Sequence, residues 1–115
     1  MKLVRYGQRG EEKPGLIDQN GTVRDLSTQV DDWDHTTLVP ATMNAIRELD
    51  WTALPAIDAS ARLGTPIKRP GKIVGCALTY GKHAAEAGME PPAEPMFMLT
   101  AASALNGPFD EVAMP

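Results

Sequence analysis

The opening of the chain alternates hydrophobic and polar residues, which is the period of a half-buried strand. Lys2–Tyr6 carries this pattern and is predicted to be the first strand. Two more strands are predicted near Pro14–Gln19 and Thr22–Leu26, on either side of the Asn20-Gly21 pair. This pair tolerates the positive φ angles that both central residues of a two-residue type I′ hairpin adopt. The N-terminal part of the chain is therefore expected to form a small antiparallel sheet.

Apolar residues in the middle of the chain recur every three or four positions, which is the spacing of an amphipathic helix. They are Val39, Met43, Ile46 and Leu49. Pro40 stands near the expected start of this helix, where its missing N–H is tolerated. Asp50 is expected to cap one further turn, and residues 28–37 are expected to form an acidic connector.

The chain changes in character after a stretch rich in proline, glycine and basic residues, from about Gly64 to Lys72. This stretch is the best candidate for a boundary, so domains 1–66 and 67–115 are predicted. Beyond it, the apolar run KIVGCALTY predicts a strand buried on both faces, and GKHAAEAGM predicts a short helix. The prolines of EPPAEP exclude a helix or a central strand, whereas MFML predicts a strand, NGPFD a turn and EVAMP the start of another strand.

Together these elements predict an α+β fold that is mostly β. A small N-terminal antiparallel sheet with a short helix is expected to precede the opening of a larger β-rich domain. The predicted strand at the C-terminus supports this expectation, because an unpaired strand leaves an exposed sheet edge.

Composition and charge narrow the range of functions. The 115 residues carry a net charge of −4 with scattered basic residues, which argues against a nucleic-acid partner. A single cysteine, Cys76, cannot form an internal disulfide, and the N-terminus lacks the apolar segment of a signal peptide. Since no apolar run approaches the roughly 20 residues of a membrane span, no membrane partner is expected and a cytoplasmic location is predicted.

His83 and Glu86 are the strongest candidates for chemistry. Residues three apart on a helix share a face, and a carboxylate beside an imidazole holds its tautomer and raises its basicity. Such a pair suits a general base that activates water. The same short motif also occurs by chance on solvated helix faces, and taken alone it favours that simpler interpretation.

Other polar residues of the chain support weaker hypotheses. Cys76 could act as a nucleophile served by His83, but its apolar neighbours favour a buried structural thiol. The DDWDH cluster at residues 31–35 could bind a cation, although an acidic turn is the better interpretation. The chain has too few cysteines and histidines for a zinc site, and it has no glycine-rich phosphate-binding motif.

Three blocks of sequence resemble the front portion of the fumarylacetoacetate hydrolase family. They are MKLVRYGQRGEEKPGLIDQNGTVRDLS, RPGKIVGCALTYGKHAAEAG and PAEPMFMLTAASALNGPFDEVAMP. The resemblance implies a small N-terminal domain followed by the beginning of a catalytic domain built as a mixed β-roll. It also implies hydrolysis of carbon–carbon bonds in acylpyruvate-like 2-oxo acids, or isomerisation or decarboxylation of related compounds.

The resemblance also assigns roles to residues. His83 and Glu86 match the catalytic pair of the family motif Asn-Tyr-x-Asp-His-x-x-Glu, and Tyr80 matches its tyrosine. Lys82 stands where this motif has an acidic residue, and Thr100 stands where the family typically has a lysine. Tyr80, Lys82 and Thr100 are therefore expected to contact the substrate.

A divalent cation, Mg²⁺ or Mn²⁺, is implied by the same resemblance, but no metal ligand can be assigned within these 115 residues. The chain is accordingly expected to be truncated before the metal ligands and inactive alone, and to form a homo-oligomer or to pair with a chain that supplies the rest of the fold. Two alternatives remain open. One is a non-catalytic or diverged subunit with a binding or scaffolding role, and the other is a metal-free proton-transfer or cyclisation activity that uses the His–Glu pair.

Overall fold

The computed structural model describes residues 1–112 and 114, which fall into two compact units. Unit 1 comprises Met1–Pro70 and the residues from Leu105 onward, and unit 2 comprises Gly71–Ala104. Unit 1 contains β1 (Lys2–Tyr6), β2 (Lys13–Ile17), β3 (Val23–Asp25), α1 (Pro40–Arg47) and a 3₁₀ turn at Trp51–Ala53. Unit 2 contains β4 (Ile73–Ala77), α2 (Gly81–Glu86), β5 (Met96–Thr100) and a 3₁₀ turn at Ala102–Ala104. The domain assignment 1–66 and 67–115 stays a prediction.

The N-terminal strands form the antiparallel sheet that the alternating pattern predicts. The sheet has the order β1-β2-β3, with Val4 opposite Gly15 and Leu16 opposite Arg24. The predicted first strand is confirmed at the same residues, and the next two strands lie within a few residues of their predicted bounds. The sheet thus follows from local patterning, since each strand is specified by its own residues.

The loop between β2 and β3 differs from the predicted type I′ turn. The Asp18 N–H donates to the Thr22 carbonyl at 3.0 Å, and the Gly21 N–H donates to the Asp18 carbonyl at 3.1 Å. Gly21 has a φ of +83°, but Asn20 does not adopt a positive φ. The type I′ prediction is therefore wrong, because the Asp18 carboxylate accepts from the Asn20 and Thr22 amides and stabilises a three-residue loop instead.

Gly21 gives a direct test of this loop. Replacing Gly21 with alanine is expected to lower the free energy of unfolding by about 1 kcal/mol, because a Cβ is unfavourable at positive φ. A Cβ at this position meets no neighbouring atom, so the loss comes from the backbone alone. Gly21→Asn is the matched control and should lose less, since asparagine tolerates this conformation. Equal midpoints of urea unfolding for the alanine and asparagine variants would contradict the assignment.

The core of unit 1 forms between the sheet, α1 and the acidic connector. Its cluster of buried hydrophobic side chains consists of Leu16, Leu26, Trp33 and Ile46. Trp33 also donates its indole N–H to the Val4 carbonyl at 2.9 Å and to the Gly15 carbonyl at 3.1 Å. The connector, predicted only as a polar link, thus supplies the largest fully buried side chain of the unit.

Helix α1 and the turn after it confirm the predictions for the middle of the chain. Pro40 occupies the first helical turn, and Ile46 is the buried residue of the apolar face, with Met43 and Leu49 packed against the core. Asp50 caps the following turn, where its carboxylate accepts from the Thr52 amide at 3.0 Å. Both starts follow from residues with known preferences for helix N-termini.

A network of ion pairs in unit 1 joins residues that are far apart in the sequence. Arg5 is only 5% exposed, and its guanidinium donates to both carboxylate oxygens of Asp32, at 2.6 and 3.0 Å. Lys68 lies 3.2 Å from the same carboxylate, and Glu12 lies 3.4 Å from Arg5. Burial alone would raise the pKa of Asp32, but hydrogen bonds from Arg5, the Trp33 amide and Lys68 hold it below its ordinary value.

The same network continues to the segment that follows unit 2. Arg62 donates to Glu12 at 2.9 Å and to both carboxylate oxygens of Asp110, at 2.7 and 2.6 Å. These hydrogen bonds from Arg62 lower the pKa of Asp110 below its ordinary value. Gly107 lies beside this contact, and a Cβ there would come within 2.6 Å of the Leu63 carbonyl. The ion pair of Arg62 with Asp110 and the close backbone packing at Gly107 therefore hold residues 107–110 against the N-terminal part of unit 1.

Unit 2 contains a two-stranded antiparallel ribbon. Ile73 lies opposite Thr100 and Ala77 lies opposite Met96. Its apolar side chains are largely solvent-exposed, with Val74 at 56%, Phe97 at 69% and Leu99 at 77%. The prediction that KIVGCALTY is buried on both faces is therefore wrong, because among the described residues β4 pairs with β5 alone and no second layer covers it.

The C-terminal predictions have mixed outcomes. The NGPFD turn is confirmed, with the Asp110 N–H donating to the Gly107 carbonyl at 3.2 Å. Glu111 and Val112 are not in a strand, and residues 113 and 115 of the predicted strand lie outside the described residues. The α+β character with more strand than helix is confirmed, but the two observed sheets are antiparallel and the mixed β-roll stays a prediction. Among the described residues, no helix has the length and hydropathy needed to cross a membrane.

Candidate functional site

Helix α2 carries the predicted His–Glu pair and is defined by backbone geometry at both ends. Tyr80 is the extended N-cap residue, and its carbonyl accepts from the Ala84 amide at 3.0 Å. At the other end, Gly88 has a φ of +66° and donates to the Ala85 carbonyl, while the Met89 amide donates to the Ala84 carbonyl at 2.8 Å. This pair of bonds is a Schellman motif, so the glycine of the sequence HAAEAG ends the helix.

The connection from β4 to α2 contains an unusual backbone conformation. Leu78 has a φ of +53°, which lies in the left-handed region that non-glycine residues rarely adopt. Such conformations cost about 1–3 kcal/mol and occur most often at functional sites. Sequence reasoning missed this feature, because leucine gives no local signal for positive φ.

The side chains of α2 divide between a buried and an exposed side. Ala84 is completely buried, whereas Lys82, His83 and Glu86 are exposed. With about 100° of rotation per residue, these three positions fall within an arc of about 100° and point away from Ala84. The helix is therefore anchored by its alanine and presents a cation, an imidazole and a carboxylate on the other side.

His83 and Glu86 share this exposed side, but they are not bonded to each other. Within residues 71–104, all of which the structure describes, no hydrogen bond or ion pair joins the two side chains. Hydrogen bonds in catalytic pairs often tighten only when substrate is present. The arrangement leaves the imidazole accessible to a substrate or a water molecule, with a carboxylate one helical turn away that can orient it.

The remaining predicted site residues lie on different elements of unit 2. Tyr80 directly precedes α2, and its side chain is 77% exposed. Thr100 lies opposite Ile73, at the other end of the ribbon from the Ala77–Met96 pair. Four residues of strand, about 13 Å, separate Thr100 from Met96. Tyr80 thus directly precedes α2. The predicted contacts of Tyr80, Lys82 and Thr100 with the substrate stay predictions.

Cys76 lies on β4 and is exposed, so the prediction of a buried structural thiol is wrong. It lines a shallow hollow of about 290 Å³ together with Thr79 and the proline-rich segment Pro91–Pro95. The apolar neighbours along the sequence do not bury the thiol, because the ribbon exposes alternate residues of β4.

Clusters of potential metal ligands are absent from the described residues. No group of three histidine, cysteine or carboxylate side chains is placed to hold a cation there. Within DDWDH, Asp32 is bound by Arg5, and Asp34 accepts from the Thr36 amide at 2.8 Å. The interpretation of this cluster as an acidic turn is confirmed, since its carboxylates stabilise the local backbone and the core.

Comparison with known proteins gives a consistent set of relatives, although the chain matches no protein-family model. Over all 115 residues it is 44% identical to a 2,4-didehydro-3-deoxy-L-rhamnonate hydrolase from a Sphingomonas strain, and it covers 39% of that protein. It is 43% identical to proteins from Burkholderia ambifaria and Burkholderia multivorans, covering 41% of each. The names of these two assign a hydrolase activity provisionally and state no substrate. The chain thus spans about two-fifths of the length of the curated relatives that it matches.

Proposed function

We propose that this chain is part of a hydrolase of the fumarylacetoacetate hydrolase family that cleaves a carbon–carbon bond in a 2,4-dioxo acid. The observation that carries the proposal is the His83–Glu86 pair on the exposed side of α2, in a chain 44% identical over its full length to a sugar-acid hydrolase. The relatives support hydrolase chemistry, and the family motif supports the assignment of the pair.

The substrate class follows from the name of the Sphingomonas relative. An acid that is didehydro at positions 2 and 4 and deoxy at position 3 has two carbonyl groups flanking a methylene group. This is the acylpyruvate pattern, which agrees with the substrates that the resemblance implies. The methylene protons of such a compound are acidic, and its cleavage releases a 2-oxo acid as a resonance-stabilised enolate.

In the proposed reaction, His83 accepts a proton from water as the water oxygen adds to the carbonyl carbon farther from the carboxylate. The bond from this carbon to the methylene carbon then breaks, and its electron pair enters the enolate of the 2-oxo acid. The enolate takes up a proton, so that water is consumed and two acids are formed. Glu86 orients the imidazole and stabilises its protonated form, and Tyr80, beside the helix, contacts the substrate.

The divalent cation that the family resemblance implies does not fit the residues of this chain. Among the described residues no set of three ligands exists, and a hard cation needs several oxygen ligands. The proposed steps therefore use His83, Glu86 and Tyr80 only.

The test is hydrolysis by the protein expressed from the complete reading frame that contains this sequence. Release of the 2-oxo acid can be followed with a coupled dehydrogenase. His83→Ala is expected to lower kcat by about 10²–10⁴-fold, which is the usual contribution of a general base. His35, the other histidine of the chain, is exposed in unit 1, and His35→Ala serves as the matched control with an unchanged rate.

Each outcome of this experiment decides between the functions considered. Full activity in His83→Ala would overturn the role of the pair, and a wild-type protein without hydrolase activity would overturn the proposed function. The second result would favour a binding subunit, for which the exposed apolar residues of β5 would be the contact surface.

A further inference from the structure

We infer that the Lys82 ammonium binds the substrate carboxylate beside the His–Glu pair and makes the site selective for anionic substrates. The inference rests on the proposed function and names the group that recognises the acid. Its basis is the shared position of Lys82, His83 and Glu86 on the exposed side of α2, opposite the buried Ala84.

The Lys82 side chain is available for a ligand. It is exposed, and within residues 71–104 its ammonium forms no ion pair with a carboxylate. Glu86 lies one helical turn later, but a lysine that precedes a glutamate by four residues is the less favourable order for such a pair. The positive charge of Lys82 is therefore not neutralised by a carboxylate of the same helix.

The distribution of charge in unit 2 makes Lys82 the cation that matters for an acidic substrate. The unit contains three carboxylates, Glu86, Glu90 and Glu94, and its only other lysine is Lys72. Lys72 directly precedes β4, whereas α2 follows it, so a strand of five residues, about 16 Å long, lies between this lysine and the helix. Without Lys82, the carboxylate of Glu86 would be the only fixed charge on α2 itself.

The chemistry of lysine suits this task. An ammonium on a four-carbon stem is a mobile point charge, and it forms strong charge-assisted hydrogen bonds with a carboxylate. Because the substrate keeps its carboxylate through the reaction, the contact is equally strong in the ground state and the transition state. Lys82 is therefore expected to affect KM rather than kcat.

The experiment compares Lys82→Gln with the wild-type protein on a 2,4-dioxo acid and on its uncharged amide. For the acid, KM is expected to rise by about 10–100-fold, the range for loss of a charged hydrogen bond, with kcat within about threefold. For the amide, KM should stay unchanged. Lys72→Gln is the matched control and should behave as the wild type, and Lys82→Arg should largely restore the KM for the acid.

The outcomes separate this inference from the function on which it rests. An equal rise of KM for acid and amide, or an unchanged KM for both, would overturn the role of Lys82, while His83→Ala would still lower kcat for hydrolysis. A lower kcat with an unchanged KM would also overturn it, because the residue would then act on the reaction rather than on binding. Absence of hydrolysis in the wild-type protein would instead overturn the proposed function.

Discussion

Replacing Trp33 with alanine is expected to lower the free energy of unfolding by about 3–5 kcal/mol, which is the usual cost of deleting a large buried aromatic side chain. Trp33 is completely buried in the core of unit 1. Its indole N–H also donates to the carbonyls of Val4 and Gly15, which lie opposite each other on β1 and β2. The variant therefore loses core packing and a polar link between two paired strands.

Urea unfolding followed by circular dichroism measures this loss. Trp51→Ala is the matched control, because Trp51 is only partly buried and packs at the edge of the same core. It should lose clearly less stability than Trp33→Ala. Trp33→Phe keeps most of the ring volume but removes the donor, and is expected to fall between the two. If Trp33→Ala does not fold, Trp33→Phe can still be compared with Trp51→Ala. Equal losses of stability for these two variants would contradict the role assigned to Trp33.

The elements that the sequence predicts well are those whose determinants are local. β1 follows from alternation within Lys2–Tyr6, and α1 follows from apolar spacing and Pro40. The start and end of α2 are likewise set by residues within a few positions of the helix, including Gly88. Each of these signals lies in residues that are close together in the sequence. The element can therefore be predicted without knowledge of the tertiary fold.

Features that depend on distant residues are not predictable in this way. Arg5 and Asp32 are 27 positions apart, and Arg62 and Asp110 are 48 positions apart, so no window of the sequence contains either pair. The wrong prediction that β4 is buried on both faces has the same cause. An apolar run indicates that a strand can be covered, but it does not show whether another layer covers it.

The candidate site has features that local sequence predicts and features that depend on the tertiary fold. Helix α2, which contains His83 and Glu86, is predictable from a local alanine-rich pattern. The common exposed side of the two residues follows from helix geometry. The position of Thr100, opposite Ile73 at one end of the ribbon, depends on strand register, which local sequence does not give. The family motif identified residue types, whereas only the structure gives their arrangement.

Replacing Asp32 with alanine is expected to destabilise the chain by about 3–5 kcal/mol, because it leaves the buried Arg5 guanidinium without its bidentate partner. The nearest remaining carboxylate, Glu12, lies 3.4 Å from Arg5 and is already bound by Arg62 at 2.9 Å. Asp31→Ala is the matched control, since Asp31 is the exposed neighbour of Asp32, and it should leave the unfolding midpoint almost unchanged. A loss no larger than that of the control would contradict the buried pair.

The same carboxylate predicts how stability depends on pH. The pKa of Asp32 is lowered in the folded chain, where hydrogen bonds from Arg5 and the Trp33 amide outweigh the effect of burial, which by itself would raise it. The stability contributed by ionised Asp32 is therefore present above its unfolded pKa of about 3.9, and it is lost as the pH falls through the lower folded value. Asp32→Asn removes this titrating group, so the stability gap between wild type and variant should be constant near pH 6 and narrow below about pH 4. If the unfolding midpoints of wild type and Asp32→Asn differ by the same amount at every pH down to about 2.5, the Asp32 carboxylate is not held ionised by Arg5.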